Sequence, residues 1–230
     1  MLSRLPSLPV IPVVLLFGVA SGVVADDTTL PEVARFEEAL AVFNERLDDF
    51  RKAVADDLQT EIAKARNASD VAAVQGLEGE KEQFETHGYL PTILSRPMQR
   101  QLALFVKPFE RTSELTVRSL TRGGHDAEAD RVREAAKQAL GPIEASRVRS
   151  QLIGRWAMKG PVNAVFVFRP DGTVYNENSK QSLPYEIDID LGTITVQGPG
   201  WRDRMLLPLN PGLTKGKNAG GRDLQYRKVR

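Results

Sequence analysis

Few side chains of this sequence belong to the types that perform catalysis. There is no cysteine among the 230 residues, which excludes disulfides, thiolate metal ligands and a cysteine nucleophile. The two histidines, His87 and His125, each lie next to glycine, and neither has a partner at a catalytic or metal-ligand spacing. We therefore expect both to be solvated residues at helix ends. We also expect that the protein is not an enzyme and holds no cofactor or metal.

Three carboxylates, Glu186, Asp188 and Asp190, alternate along one predicted strand and so project from one face of it. Carboxylate oxygens are ligands for hard cations such as Ca²⁺. These three lack the loop spacing of a calcium motif, however, and simple alternation explains them as the solvent face of the strand. The sequence therefore predicts a solvent-exposed face here and no metal site.

Basic residues are concentrated near the carboxyl terminus, where they alternate with aromatic residues such as Trp201 and Tyr226. The segment 213–222 resembles a phosphate-binding loop only in part, because Asn218 stands where serine or threonine should follow Lys217. We expect a flexible loop between strands there. Basic and aromatic side chains together can bind polyanions. The candidates are Arg202, Arg204, Lys215, Lys217, Arg222, Arg227 and Lys228. The alternative is a basic surface with no partner.

Residues 1–25 have the layout of a cleavable secretory signal peptide. Arg4 precedes an apolar stretch from Val10 to Ala20, and Val23 and Ala25 occupy the −3 and −1 positions of a cleavage site. The apolar stretch is shorter than the ~20 residues that span a bilayer. We expect an exported, periplasmic or extracellular protein with no membrane span after cleavage. The expected polyanion is then an anionic envelope polymer and not nucleic acid.

The remaining chain divides into two parts of opposite charge. Residues 26–146 carry a net charge of −7 and residues 147–230 carry +7. Such an asymmetry is typical of two units with different surfaces. We expect a helical, coiled-coil-like domain over 26–146 and an antiparallel β module over 147–230.

A single apolar stripe at steps of three and four predicts a long helix from Pro31. Its members are Val33, Phe36, Leu40, Phe43, Leu47, Phe50, Val54, Leu58 and Ile62. Further helices are predicted over about 70–86, 98–121 and 126–140, the last ending at Gly141-Pro142. Because one helix cannot bury its stripe alone, we expect an antiparallel helical hairpin or bundle. The alternative is pairing of the first helix with a second copy.

After about residue 150 the apolar period becomes two. The run Val165–Phe168, followed by Pro170-Asp171-Gly172, predicts a β-hairpin. A second hairpin is predicted with its turn at Leu191-Gly192, which would place Ile189 opposite Ile194 and Ile187 opposite Val196. In total we expect about six or seven strands, arranged as a small antiparallel β-meander or partial barrel.

The motif Gly154-Arg155-Trp156, followed by Phe166-x-Phe168-x-x-Asp171-Gly172, resembles the opening of lipocalin- and avidin-type (calycin) β-meanders. The resemblance covers residues 152–229. It implies that the Gly-x-Trp begins the first strand and that a basic residue of the last strand, Arg227 or Lys228, packs over the indole. Those barrels have eight strands and usually more residues than are present here. We therefore expect Trp156 to anchor the core of a smaller sheet.

Taken together, these patterns predict an α+β protein that binds and does not catalyse. In the leading hypothesis the helical half associates with itself or with a protein partner, and the basic β module contacts an envelope component. The alternative is a calycin-like carrier of a small ligand. That alternative predicts an apolar cavity near Trp156, Phe166 and Phe168.

Overall fold

The computed structural model describes residues 30–161 and 163–229, so the predicted signal peptide over 1–25 lies outside the described residues. The first half is helical, and the second half is an antiparallel β-barrel, which confirms the α+β class. The helices are α1 (Pro31–Asn67), α2 (Val71–His87), α3 (Arg96–Arg122) and α4 (Asp126–Leu152). None of the described helices has an apolar stretch long enough to cross a bilayer.

The apolar stripe of α1 is buried within the chain, against α3 and α4. Phe43 stacks on Phe109 with ring centroids 4.3 Å apart, and Phe50 meets Phe105 edge-on at 5.8 Å. Aromatic pairs at these distances add to the energy of area burial. The predicted bundle is therefore formed inside one chain. The same stripe cannot simultaneously form a zipper with a second copy.

The fourth helix is longer than predicted. It continues through Gly141-Pro142 to Leu152, so the predicted stop at residue 140 is wrong. A proline inside a helix removes one backbone hydrogen bond and costs ~3 kcal/mol. Burial of apolar side chains offsets this cost, because the helix after Pro142 carries Ile143 and Leu152 into the interior. Tertiary packing outweighs the local stop signal here.

Eight strands form a closed barrel in which each strand pairs with its sequence neighbours and β1 pairs with β8. They are β1 (Gly154–Lys159), β2 (Ala164–Phe168), β3 (Thr173–Asn176), β4 (Gln181–Asp188), β5 (Thr193–Gly198), β6 (Trp201–Leu206), β7 (Thr214–Asn218) and β8 (Asp223–Val229). The strand that the sequence missed is β7, which lies inside the predicted flexible loop. Its inward positions are Thr214 and Gly216. The strand therefore lacks the alternating apolar residues from which a strand is predicted.

The hairpin of β2 and β3 forms as predicted around Pro170-Asp171-Gly172, with Gly172 at φ +80° and the Asp171 side chain accepting from the Thr173 backbone N–H at 2.9 Å. The predicted register of the next hairpin is wrong by two residues. Ile187 faces Ile194, because β4 ends at Asp188 and a longer turn follows. A shift of two keeps the apolar side chains on the same face, so the barrel core is unaffected.

The helical half seals one end of the barrel. Only Ile153 separates α4 from β1, and Leu152 is fully buried among the barrel's core residues. We call this the closed end. The opposite end, where the turns from β1 to β2 and from β3 to β4 lie, carries none of the four described helices, and we call it the open end.

A buried ion pair holds the two halves together at the closed end. Arg149 of α4 is fully buried, and its guanidinium lies 2.8 Å from the Glu80 carboxylate of α2. The same guanidinium donates to the carbonyl oxygens of Leu90 and Pro170. Glu80 in turn accepts from the Thr92 backbone N–H at 3.2 Å. One cation thus links α2, α4, the segment after α2 and the β2–β3 turn.

Beside this pair, α2 touches the β2–β3 turn with its backbone. A Cβ atom built on Gly79 would lie 2.6 Å from Cβ of Asp171, whereas one built on Gly76 would meet nothing within 4 Å. Glycine inside a helix ordinarily costs about 0.5–1 kcal/mol relative to alanine. The absence of a side chain at Gly79 is thus a requirement of the contact between the two halves.

This contrast gives a matched pair of variants on one helix. Gly76→Ala is expected to raise the free energy of unfolding by about 0.5–1 kcal/mol, because it only adds helix propensity. Gly79→Ala is expected to lower it by about 1–3 kcal/mol, because the new methyl group forces α2 away from the turn. Urea denaturation followed by circular dichroism measures both. Equal effects of the two variants would show that the α2–turn contact is loose.

Candidate functional site

Strands β6, β7 and β8 bring most of the predicted polyanion-binding residues onto one outer face of the barrel. Arg202 and Arg204 alternate on β6, Lys215 and Lys217 alternate on β7, and Arg227 lies on β8. All five side chains are exposed and point away from the core. We call these five residues the basic face. The alternation of each strand is what places them together.

The pairing register puts like charges side by side on this face. Arg204 lies directly opposite Lys217 on the neighbouring strand. Lys217 has one partner, Asp223, at 3.2 Å between Nζ and Oδ1. Across the described residues, no carboxylate lies within 4.0 Å of the other four cations. Like charges directly opposite each other destabilise a sheet, so this arrangement is not explained by the stability of the barrel.

Two of the predicted basic residues lie elsewhere. Arg222 is exposed in the turn between β7 and β8 at the open end. Lys228 lies at the closed end, where its Nζ donates to the Gln151 carbonyl oxygen at 2.6 Å and is 5.6 Å from the Trp156 ring centroid. Burial lowers the pKa of Lys228. Lys228, and not Arg227, is thus the basic residue that covers the indole.

Of the three aromatic residues proposed as a ligand site or core, Trp156 and Phe166 lie opposite each other on β1 and β2. Trp156 is fully buried at the closed end, and its indole N–H donates to the Leu152 carbonyl oxygen at 2.6 Å. Phe168 lies near it and meets Tyr185 edge-on at 5.3 Å. Burial raises the pKa of Tyr185 to about 12. Only Phe166 of the three reaches toward the open end, where its ring centroid is 6.3 Å from that of Trp201.

The open end of the barrel holds a cavity of about 280 Å³, which we call the open-end cavity. Its lining residues are Met158, Pro161, Ala164, Phe166, Asn176, Trp201, Asp203, Asn218 and Leu224. Trp201 is fixed at the rim because Gly198 opposes it: a Cβ on Gly198 would lie 2.3 Å from the indole. The barrel is therefore filled at the closed end and hollow at the open end.

Asp203 is the acidic side chain of this cavity, and it was not among the residues predicted from the sequence. It alternates with the exposed Arg202 and Arg204 and so points inward. Burial raises the pKa of Asp203, because the interior disfavours its charged form. Burial also raises the pKa of Tyr226, and the nearby charge of Asp203 adds to that shift. The available signal was the alternation itself, which places a carboxylate between two outward cations.

The remaining candidate groups are dispersed. Asp190 forms an ion pair with Lys137 of α4, with 2.8 Å between Oδ1 and Nζ. His87 ends α2 and stacks on Tyr89, and His125 is the N-cap residue of α4. In the part of the chain that the structure describes, no three histidine or carboxylate side chains are grouped so that they could hold a metal ion.

Comparison of the chain with models of protein families, with curated proteins and with solved structures gave no match. The eight-stranded antiparallel barrel over residues 154–229 is compatible with a calycin-like fold.

Proposed function

We propose that this protein is an exported, non-catalytic binding protein whose basic face holds an anionic polymer of the cell envelope. The observation that carries the proposal is the Arg204–Lys217 pair on adjacent strands, flanked by three further cations. Aligned cations repel each other in the free protein, and a polymer with regularly spaced anionic groups would relieve that repulsion. The face is extended along three strands, which suits a chain better than a small anion.

The helical half has the role of association in this proposal. Its surface has large apolar side chains that are exposed to solvent. Among them are Val42 of α1 and Leu104 and Leu115 of α3. Leu104 is 71% exposed. Apolar side chains that are this exposed are candidate contacts for a protein partner. A second copy or a protein partner would dock here while the basic face remains accessible.

Binding to a defined polymer tests the basic face. The full mature chain is passed over polygalacturonate beads, and over neutral dextran beads, in a series of salt concentrations. We expect retention on polygalacturonate alone, with affinity falling as salt rises because bound counterions are released. The double variant Arg204→Gln/Lys217→Gln is expected to reduce the slope of log affinity against log salt by about 1 per cation removed.

The matched control is Lys107→Gln/Arg111→Gln, which removes the same charge from exposed positions of α3. It is expected to leave retention unchanged. If both double variants lose retention equally, net charge and not the basic face is responsible. Retention on dextran equal to that on polygalacturonate would contradict the proposal.

A second candidate function is the uptake of a small ligand at the open end, as in a calycin-like carrier. The observation that favours it is the open-end cavity, which is bounded by inward side chains of six strands and one loop. Small-ligand sites in barrels commonly lie in such mouths. The candidate does not require Trp156 or Phe168, which belong to the filled end of the barrel.

A further inference from the structure

The two asparagines of the open-end cavity have a fixed orientation. The Asn176 side-chain oxygen accepts from the backbone N–H groups of Asn178 at 2.9 Å and Ser179 at 3.3 Å. The Asn218 oxygen accepts from the backbone N–H of Arg222 at 2.9 Å. Because each amide oxygen is engaged by a turn, the amide nitrogen is the group that each side chain has left for a ligand.

The third polar group of the cavity is an acceptor. Asp203 lies opposite Asn218 in the pairing of β6 with β7, so the carboxylate and the amide are neighbours on the inner face. Among residues 30–161 and 163–229, no side chain or backbone group donates to the Asp203 carboxylate, and no cation pairs with it. The cavity thus presents two donors and one acceptor that lack a counterpart.

An apolar wall completes the cavity. The Trp201 ring is held against Gly198 at the rim, and the Phe166 ring lies deeper, with 6.3 Å between the two centroids. Met158 and Leu224 lie beside them. A ligand here must therefore present polar groups on its edge and an apolar face to the rings.

From this arrangement we infer that the open-end cavity binds one sugar ring, with its hydroxyl groups bonded to Asp203, Asn176 and Asn218 and its C–H face against Trp201. This inference rests on the second candidate function, ligand uptake at the open end, and is independent of the basic face. A sugar hydroxyl both donates and accepts, so one ring serves all three polar groups. The volume of about 280 Å³ lies just below the usual range for pockets of drug-sized ligands, which suits a single ring.

Other ligand classes fit less well. An ammonium ion would neutralise Asp203, but it carries only donors, so the two amide nitrogens would face further donors. An alkyl chain would leave all three polar groups without partners, which is costly in a buried site. A fatty acid would in addition bring its carboxylate close to Asp203. The sugar ring satisfies every group that the cavity presents.

The test uses the two tryptophans as reporters, since the chain contains only Trp156 and Trp201. The full mature chain is labelled with ¹⁵N, and glucose, galactose, mannose and N-acetylglucosamine are each added to about 100 mM, a range that detects millimolar affinity. In ¹H–¹⁵N correlation NMR spectra, at least one sugar is expected to shift the resonance of the Trp201 indole N–H group. The Trp156 signal, at the closed end, is expected to stay in place.

Asp203→Asn is expected to weaken the binding of that sugar by about tenfold or more, the usual effect of losing a hydrogen bond to a charged group. The matched control is Asp223→Asn, at the same end of the barrel but on its outer surface. It is expected to leave the affinity unchanged. Asn176→Ala provides a second variant of the cavity, with the same expected direction.

The fold of Asp203→Asn is checked by thermal unfolding. Because burial raises the pKa of Asp203, its charged form is disfavoured in the fold, and it lowers stability at pH values above that raised pKa. The variant is therefore expected to unfold at a higher temperature than the parent at neutral pH. This advantage should disappear at pH values below the ordinary pKa of aspartate, where both side chains are neutral.

Two results would overturn the inference. If methylammonium or decanoate shifts the Trp201 signal and no sugar does, ligand uptake at the open end stands and the sugar assignment fails. If none of these probes shifts it, the inference and the second candidate function fail together. Retention on polygalacturonate is a separate measurement. Its outcome for the basic face therefore changes neither the conclusion about ligand uptake nor the one about the sugar.

Discussion

Replacing Glu80 with alanine is expected to lower the free energy of unfolding by about 3–5 kcal/mol, the usual cost of breaking a buried ion pair from one side. The Arg149 guanidinium would keep the carbonyl oxygens of Leu90 and Pro170 as acceptors but would lose the carboxylate that neutralises it. Within the described part of the chain, the Nε of Arg149 already lacks a hydrogen-bond partner. A buried cation without a counter-charge is among the most destabilising changes available to this chain.

Urea denaturation of the parent and of Glu80→Ala, Arg149→Met and Glu80→Leu/Arg149→Met measures this effect. The double variant is expected to recover much of the loss, because two apolar side chains replace two buried charges. Asp190→Asn is the control, since the Lys137–Asp190 pair also joins α4 to the barrel but lies in solvent. It is expected to leave unfolding unchanged. Strictly additive losses in the double variant would show that the pair is not a coupled unit.

Trp156→Ala is expected to cost a similar amount, about 3–5 kcal/mol, because it empties the closed end of the barrel. The indole is fully buried, is bonded to the Leu152 carbonyl oxygen, and is covered by Lys228. Removing it would leave a cavity where α4 meets β1 and would leave that buried carbonyl without its donor. The last turn of α4 and strand β1 would both lose the side chain on which they pack.

Circular dichroism in urea measures this loss without relying on tryptophan fluorescence. Trp156→Phe is expected to be milder, since it keeps most of the volume and loses only the indole N–H bond. Lys228→Met is expected to be milder still, because it removes only the cation over the ring and its bond to Gln151. If Trp156→Ala costs no more than Lys228→Met, the indole is not the anchor of the closed end.

The features that the sequence predicted correctly are those with a regular apolar period. The stripe of α1 recurs over the whole helix, and the Pro170-Asp171-Gly172 turn lies between two clear strands, so both were recognised. The strand β7 was missed because Gly216 occupies an inward position. A Cβ there would lie 2.3 Å from the Arg204 carbonyl oxygen and 2.6 Å from the Tyr226 ring. The position excludes the apolar side chain that would have revealed it.

The candidate sites were predictable only where they depend on composition. The cations of the basic face were visible as a cluster, but their common face required the pairing of β6, β7 and β8. The open-end cavity was not predictable, because its residues come from six different strands and one loop. Asp203, Asn176 and Asn218 are ordinary polar residues in the sequence. Only barrel closure makes them neighbours.

The single residue between α4 and β1 has a consequence for how the protein would present itself at a surface. A connection of one residue, reinforced by the Arg149–Glu80 pair, restrains rotation of the barrel relative to the bundle. Anything that immobilises the helices would therefore also set the orientation of the barrel. Since the bundle occupies the closed end, the open end of the barrel would face away from the point of attachment. It would then be exposed to solutes in the surrounding solvent.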